Sequence, residues 1–416
     1  MTDKHEAQSQ DANPVSVWDD QHGKMGLWLN IISAFATRVQ KGSITIHYPG
    51  GHVRRFEGPE PGRDAEWIVH SPRAARAILF SGAMGLGESY LDGDWDTPDL
   101  TDLLTWAVDN EKALGLEQGR MKPIKWIQRL RHLMNANTKS GSKKNIAYHY
   151  DLGNRFYSAW LDPSMTYSSA IFTRHDQKLE DAQAEKYRAL ATRLGIEPGH
   201  RVLEIGCGWG GFAEVAAREF GAEVVGITIS KEQLAYAQQR MKNAGLADQV
   251  ELRFQDYRDV DERFDRIASI EMIEAVGEKF WPDYFGTLYR TLKPGGMAGI
   301  QAITIEDHRF PIYRKSVDYI QRYIFPGGIC PSPAEIKNAA ARAGLDFAGV
   351  DYFGQSYAQT LASWHRRFAD AWDQIRVMGF DERFKRMWKF YLSYCETGFA
   401  TGRTDVGQFM LARPEG

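Results

Sequence analysis

The chain has 416 residues, which at roughly 100–200 residues per domain predicts two or three domains. Its 51 Lys and Arg against 54 Asp and Glu leave a net charge of −3, which argues against a globally basic nucleic-acid binder. An apolar fraction of 43% and a charged fraction of 25% belong to a chain that buries a core, not to a disordered one.

Residues 1–16 are polar and of mixed charge, and read as a disordered lead-in rather than a signal peptide. Residues 17–119 read as a small N-terminal α+β domain. In it SITIHYPGG alternates like a strand running into a turn, and SPRAARAILF opens a helix with Pro72 at its first position. A further helix follows DGDWD, capped by Thr97 or Asp99. Residues 120–144 hold eight Lys and Arg and no acid, with Ile124, Ile127, Leu130 and Leu133 at helical spacing. This is a basic amphipathic helix and linker, suited either to packing on its own protein or to touching anionic lipid. No stretch reaches the roughly 20 apolar residues of a spanning helix, so a membrane role would be peripheral.

Residues 145–416 read as the second, larger domain, and from Arg201 the pattern becomes strand–helix alternation. RVLEI, AEVVGITI, QVELRFQD, DRIASIE and MAGIQAIT are five strands, and GGFAEVAAREFG and KEQLAYAQQRMKNAG are crossover helices ended by Gly221 and Gly245. That alternation predicts a parallel sheet. Two late strands, DFAGVDYF and DVGQFMLAR, lack a glycine-rich crossover between them and predict an antiparallel edge.

LEIGCGWGG sets Gly206, Gly208 and Gly211 between the first strand and the helix after it. Glycines there let the backbone turn tightly and approach a ligand, and the helix start offers free N–H groups. A dinucleotide site wants an acid at the end of the second strand, where this chain has Ile227 and Thr228. No phosphate-binding GxxxxGK[ST] is present. Glu204 gives instead E-x-G-x-G, which resembles the first motif of class I S-adenosylmethionine methyltransferases. There Glu204 would support the methionine amino end of the cofactor. The three cysteines, Cys207, Cys330 and Cys395, contain no CxxC, and no HExxH or carboxylate cluster predicts a metal. So few cysteines fit a reducing, cytoplasmic compartment.

Ordered motifs carry a closer resemblance. They are IAYHYDLGNRFYSAWLDPSMTYSSAIF (146–172), VLEIGCGWGGFA (202–213), GITISKEQ (226–233), FQDYRDV (254–260), IEMIEAVGEKF (270–280), YIFPGGICPS (323–332), FGQSYAQTLASWHRRF (353–368) and RFKRMWKFYLSYCETGF (383–399). Together they resemble the cyclopropane-fatty-acyl-phospholipid synthases, relatives of the mycolic acid cyclopropane synthases. The resemblance implies a Rossmann-like, mostly parallel seven-stranded sheet behind the smaller N-terminal domain. It implies methyl transfer from S-adenosylmethionine to a cis double bond of an unsaturated phospholipid acyl chain, followed by proton loss and ring closure. It also implies a bound bicarbonate as proton acceptor, a homodimer, and docking on the inner face of the cell membrane. Methylene- or methyl-branched chains are the sister products, and no nucleic acid is a partner.

The resemblance assigns residues as well. Cys207, Glu274, Gln301, the Ile303 backbone and Tyr357 would cradle the anion. Gln301 stands where the family's best-known members have a histidine, and it cannot titrate near pH 7. For the cofactor, Tyr167 and Ser168 would meet the methionine end with Glu204, Gly206 and Gly208. Thr228 and Gln233 would take the ribose side, and Asp256 and Tyr257 the adenine, the carboxylate facing the exocyclic amine. An alkene is a poor nucleophile, so the donor must be held in line with it in a dry cavity. Aromatic faces stabilise a developing cation there, and the motifs supply Tyr148, Tyr150, Phe156, Tyr167, Phe172, Trp209, Phe280, Phe325 and Tyr357. Arg366, Arg367, Arg383, Lys385, Arg386 and Lys389 interleave with aromatics and read either as a lipid-facing surface or as a solvated helix face.

Overall fold

The computed structural model describes residues 26–115 and 152–415. The lead-in, the basic 120–144 segment, His149, Tyr148 and Tyr150 lie outside them. The chain divides into two compact units, 1–121 and 122–416.

In the first unit, α1 (Leu27–Ala36) precedes strands β1 (Lys41–His47), β2 (Val53–Glu57) and β3 (Glu60–Val69). Helix α2 (Pro72–Leu91), the short β4 (Trp95–Asp96) and α3 (Leu100–Asp109) follow. The sheet order is β2-β1-β3-β4, with β1 and β3 parallel. Ser71 caps α2 at the Arg73 N–H, with Pro72 at the first position, and Asp99 rather than Thr97 caps α3. Buried Asn110 ties α3 to the sheet: its Oδ1 accepts the N–H groups of Gln40 and Lys41 at 2.8 and 2.9 Å.

The second unit begins with α4 (Gly153–Ser158) and α5 (Leu179–Arg193). Then come β5 (Arg201–Ile205), α6 (Gly211–Phe220), β6 (Glu223–Thr228), α7 (Lys231–Ala244), β7 (Val250–Phe254) and β8 (Phe264–Ile270). One-turn α8 (Ile273–Val276) and α9 (Trp281–Thr291) lead to the long β9 (Leu292–Ile305). Short α10 (Phe310–Tyr313) and α11 (Tyr319–Tyr323) precede α12 (Pro333–Arg342) and β10 (Asp346–Tyr352). Helices α13 (Gly354–Asp370), α14 (Trp372–Arg376) and α15 (Glu382–Ala400) and strand β11 (Thr404–Ala412) complete it.

The seven-stranded order is β10-β11-β9-β8-β5-β6-β7. Strands β5 to β9 pair in parallel, while β11 runs antiparallel between β9 and β10, giving the edge the sequence predicts. Both faces are apolar. Leu203, Ile267, Phe285 and Leu288 pack in one cluster, and Leu190, Val202, Phe212 and Met410 in another. After β5 the chain moves outward to β6 and β7, and after β7 it returns to β8 on the other side of β5. The crevice beyond the carboxyl ends of β5 and β8 is the binding position in such a sheet.

Candidate active site

The loop after β5 is built for close approach. Gly206, Gly208 and Gly210 have φ of 82°, 51° and 84°, a region that side chains with a Cβ avoid. The Gly206 and Cys207 N–H groups both donate to the Ile227 carbonyl at 3.0 Å, fastening the loop to β6. A Cβ on Gly208 would meet nothing within 4 Å, so the backbone there faces open space. Glu204, on β5, is buried, and one carboxylate oxygen has no hydrogen-bond partner among the described residues. Burial pushes its pKa up to about 8, against the pull of the Ala213 N–H in the first turn of α6. An orphaned, buried carboxylate oxygen beside an open glycine loop fits a ligand ammonium, and the cofactor's methionine end carries one.

At the end of β6, the Thr228 hydroxyl donates to Gln233 Oε1 at 3.0 Å, and Ser230 caps α7 at the Gln233 N–H. The two expected ribose residues therefore stand together. Beyond β7, both Asp256 oxygens are held by Arg258, at 2.8 and 2.7 Å. An adenine amine at Asp256 would share this carboxylate with its own turn. Tyr257 packs edge-on to Tyr284, with ring centroids 5.7 Å apart.

Tyr167 donates to or accepts from the Tyr391 hydroxyl of α15 at 2.8 Å, and its ring lies against Tyr157, Trp160 and Trp364. Phe325 stands 6.4 Å away. Next to it, the Ser168 hydroxyl accepts from Lys186 Nζ at 2.6 Å, and the Ser168 carbonyl accepts from Gln183 at 2.9 Å. Lys186, on α5, is fully buried and lies over the Tyr187 ring at 4.1 Å. Burial lowers its pKa to about 7, while Glu271, Asp162 and Glu204 pull it back up. Sequence reading did not single out this lysine.

Of the residues expected to cradle the anion, Glu274 and Ile303 stand together. Glu274 Oε1 accepts the Ile303 N–H at 2.6 Å, and its other oxygen lacks a hydrogen-bond partner among the described residues. Burial, with the nearby Glu271 charge, raises its pKa to about 8. Gln301 and Tyr357 converge on a different residue, Glu271, at the carboxyl end of β8. Gln301 Nε2 donates to Glu271 Oε1 at 2.8 Å, and the Tyr357 hydroxyl donates to Oε2 at 2.7 Å. The Ser169 N–H also donates to Oε1, at 2.8 Å. Glu271 has φ of 48°, a left-handed backbone that costs a non-glycine residue roughly 1–3 kcal/mol and tends to mark functional sites.

Cys207 does not join this group. It is buried, its Cβ lies against Gly226 of β6, and its thiol points to the Gly208 carbonyl at 3.9 Å. It fills the loop core, and burial pushes its thiol pKa well up. Arg367 likewise turns inward: it donates to the Trp160 and Leu161 carbonyls, each at 2.9 Å, and so braces the aromatic wall. Lys385 lies over the Trp372 ring at 5.1 Å. Arg366 and Arg383 remain exposed.

A doubly wound sheet with an E-x-G-x-G loop, a buried acid with one oxygen unpartnered among the described residues and a paired Thr228 and Gln233 defines an S-adenosylmethionine-dependent methyltransferase. Residues 137–409 match the mycolic acid cyclopropane synthetase family, and the chain belongs to it. It is 39% identical over 359 residues to the tuberculostearic acid methyltransferase UfaA1 of Mycobacterium tuberculosis, covering 83% of each chain. It is 38% identical over 354 residues to the cyclopropane-fatty-acyl-phospholipid synthase of Escherichia coli K12, covering 84% of this chain and 88% of that one. The mycolic acid cyclopropane synthase CmaA1, in complex with SAH and CTAB, superposes with a TM-score of 0.61 at 30% identity, over 65% of this chain and 98% of that one.

Proposed function

We propose that the enzyme methylates the cis double bond of an unsaturated phospholipid acyl chain and that loss of a proton from the new methyl closes a cyclopropane ring. The observation that carries this is the aromatic wall around Tyr167. Its hydroxyl is spent on Tyr391, and Tyr157, Trp160, Trp364 and Phe325 surround it. An amine or hydroxyl acceptor needs polar groups to orient and deprotonate it, whereas an alkene needs a dry wall and aromatic faces. Bound at Glu204 and the glycine loop, S-adenosylmethionine supplies an electrophilic methyl group. Ser168, held by Lys186, and the Thr228–Gln233 pair would fix its two ends. The names of the relatives, which refer to fatty acyl phospholipid and tuberculostearic acid, agree with an acyl acceptor.

The homodimer and docking on the inner membrane face accompany this reading through the family resemblance, which also implies a bicarbonate ion as proton acceptor. A bicarbonate at the cradle would require Gln301 and Tyr357 to leave Glu271. A second reading follows from that arrangement: a proton taken from a different carbon leaves a methylene- or methyl-branched chain.

The test is product identity. Purified protein is incubated with S-adenosylmethionine and liposomes of cis-monounsaturated phospholipid, and the acyl chains are analysed by mass spectrometry and NMR. High-field ring-methylene protons are expected. One added carbon with vinylic protons establishes the branched reading, and no added carbon despite cofactor binding overturns both.

A further inference from the structure

We propose that Glu271 is this enzyme's own proton acceptor, its carboxylate standing where the family resemblance places a bicarbonate ion. The proposal rests on the function proposed above and names a residue for its last step.

The hydrogen-bond bookkeeping leaves little for an external anion. Two of the expected cradle donors, Gln301 Nε2 and the Tyr357 hydroxyl, are bonded to Glu271. The remaining pair, Glu274 and the Ile303 N–H, are bonded to each other. The Gln301 amide is also fixed in sense. Its oxygen accepts from Gln408 Nε2 at 3.3 Å, and Gln408 Nε2 is itself committed to donation, since it also reaches the Lys186 carbonyl at 3.2 Å. Gln301 must therefore turn its NH₂ toward Glu271. A bicarbonate placed here would face two carboxyl groups, Glu271 and Glu274, with Lys186 as the buried cation acting on Glu271.

The backbone adds a second, independent observation. A glutamate at φ 48° is held against its conformational preference, directly after the strand that points into the crevice. Removal from water raises the Glu271 pKa from its ordinary value, which makes the carboxylate a stronger base. Three donors occupy its oxygens and temper it as a nucleophile toward a carbocation. The acid Glu274, the cation Lys186 and the phenol Tyr357 are the titratable groups that act on it.

The electron count closes. The alkene π pair forms the new C–CH₃ bond as the donor's C–S bond breaks toward sulfur, leaving a cationic carbon. A Glu271 oxygen takes one proton from that methyl, and the freed C–H pair closes the ring. Glu271 ends as the carboxylic acid and returns its proton to water between turnovers.

The test compares wild type with Glu271→Gly and Glu271→Gln. Glycine accepts the left-handed backbone while removing the carboxylate; glutamine keeps the shape. Wild type is expected to run at full rate in CO₂-free buffer and to show no bound ¹³C-bicarbonate by NMR. Both variants should lose about 10²–10⁴-fold in turnover, the range of general-base catalysis, while binding S-adenosylmethionine as wild type does in calorimetry. Glu271→Gly should bind ¹³C-bicarbonate and regain rate with it, saturably, and Glu271→Gln should do neither. Wild type that stalls without bicarbonate or binds it, or a Glu271→Gly variant at full rate without it, overturns the assignment. Lipid left unmodified by wild type, with the cofactor still bound, overturns the function reading, and the assignment with it.

Discussion

In the proposed site, Glu204 would link protonation to cofactor binding. Without ligand its carboxyl is largely protonated at pH 7, because burial raises its pKa to about 8. Pairing with the cofactor's ammonium favours the ionised form. Binding at pH 7 should therefore release up to one proton, seen as a dependence of the calorimetric heat on the buffer's ionisation enthalpy. Glu204→Gln should abolish that release and weaken binding by about 1.5–3 kcal/mol, the worth of a hydrogen bond to a charged group. An unchanged proton count in the variant would place the ammonium elsewhere. Glu271 is the residue the sequence hid. SIEMIE reads as a strand end running into a motif whose assigned acid is Glu274, and no residue type announces a glutamate at positive φ. The available signal was a non-titrating Gln301 together with a second acid three residues before Glu274. Cys207 is the converse case: a thiol inside a ligand loop suggests chemistry, and the side chain is buried beside Gly226.

At the scale of elements, glycine punctuation was legible and packing was not. Gly221 and Gly245 end α6 and α7 in the left-handed conformation, as the sequence predicts. Nothing in the sequence shows why Gly211 opens α6. A Cβ there would lie 2.6 Å from the Tyr187 hydroxyl, on buried α5. Gly211→Ala should thus destabilise by about 1–3 kcal/mol through overpacking, despite alanine's better helix propensity. Gly286, in α9, has nothing within 4 Å of such a Cβ, so Gly286→Ala should stabilise by up to about 1 kcal/mol. Urea unfolding of both variants checks the pair, and equal midpoints would refute the packing argument. The sheet order was readable only as strand–helix alternation. That β11 lies between β9 and β10 depends on pairings across more than 100 residues, such as Gln408 with Gln301.

For the whole molecule, the buried acids shape stability against pH. Glu204 and Glu274 have folded pKa values near 8 against 4.5 in water, so the folded state binds their protons more tightly. Their contribution is complete below about pH 4.5 and is lost as pH rises toward 8. Lys186, depressed to about 7, does not offset this until pH exceeds 7. Glu251 and Glu262, lowered by hydrogen bonds from Arg253, act the other way and lose their contribution as pH falls through the low acid range. The cofactor-free melting temperature should therefore peak near pH 5 and fall toward pH 7, and Glu274→Gln should flatten that fall. A melting temperature that rises steadily from pH 5 to 7 would contradict it.

The position of β11 also bears on how the chain is made. It enters the sheet between β9 and β10, though it is synthesised after both, and it carries Gln408, which orients Gln301. While a ribosome is still short of residue 404, β9 has an open edge and the Gln301 amide oxygen lacks its Gln408 donor. The glycine loop after β5 can form early, but the side of the crevice with Gln301 and Glu271 is finished only when the last strand arrives. A nascent chain would then acquire its affinity for the cofactor before it acquires the ability to complete a turnover.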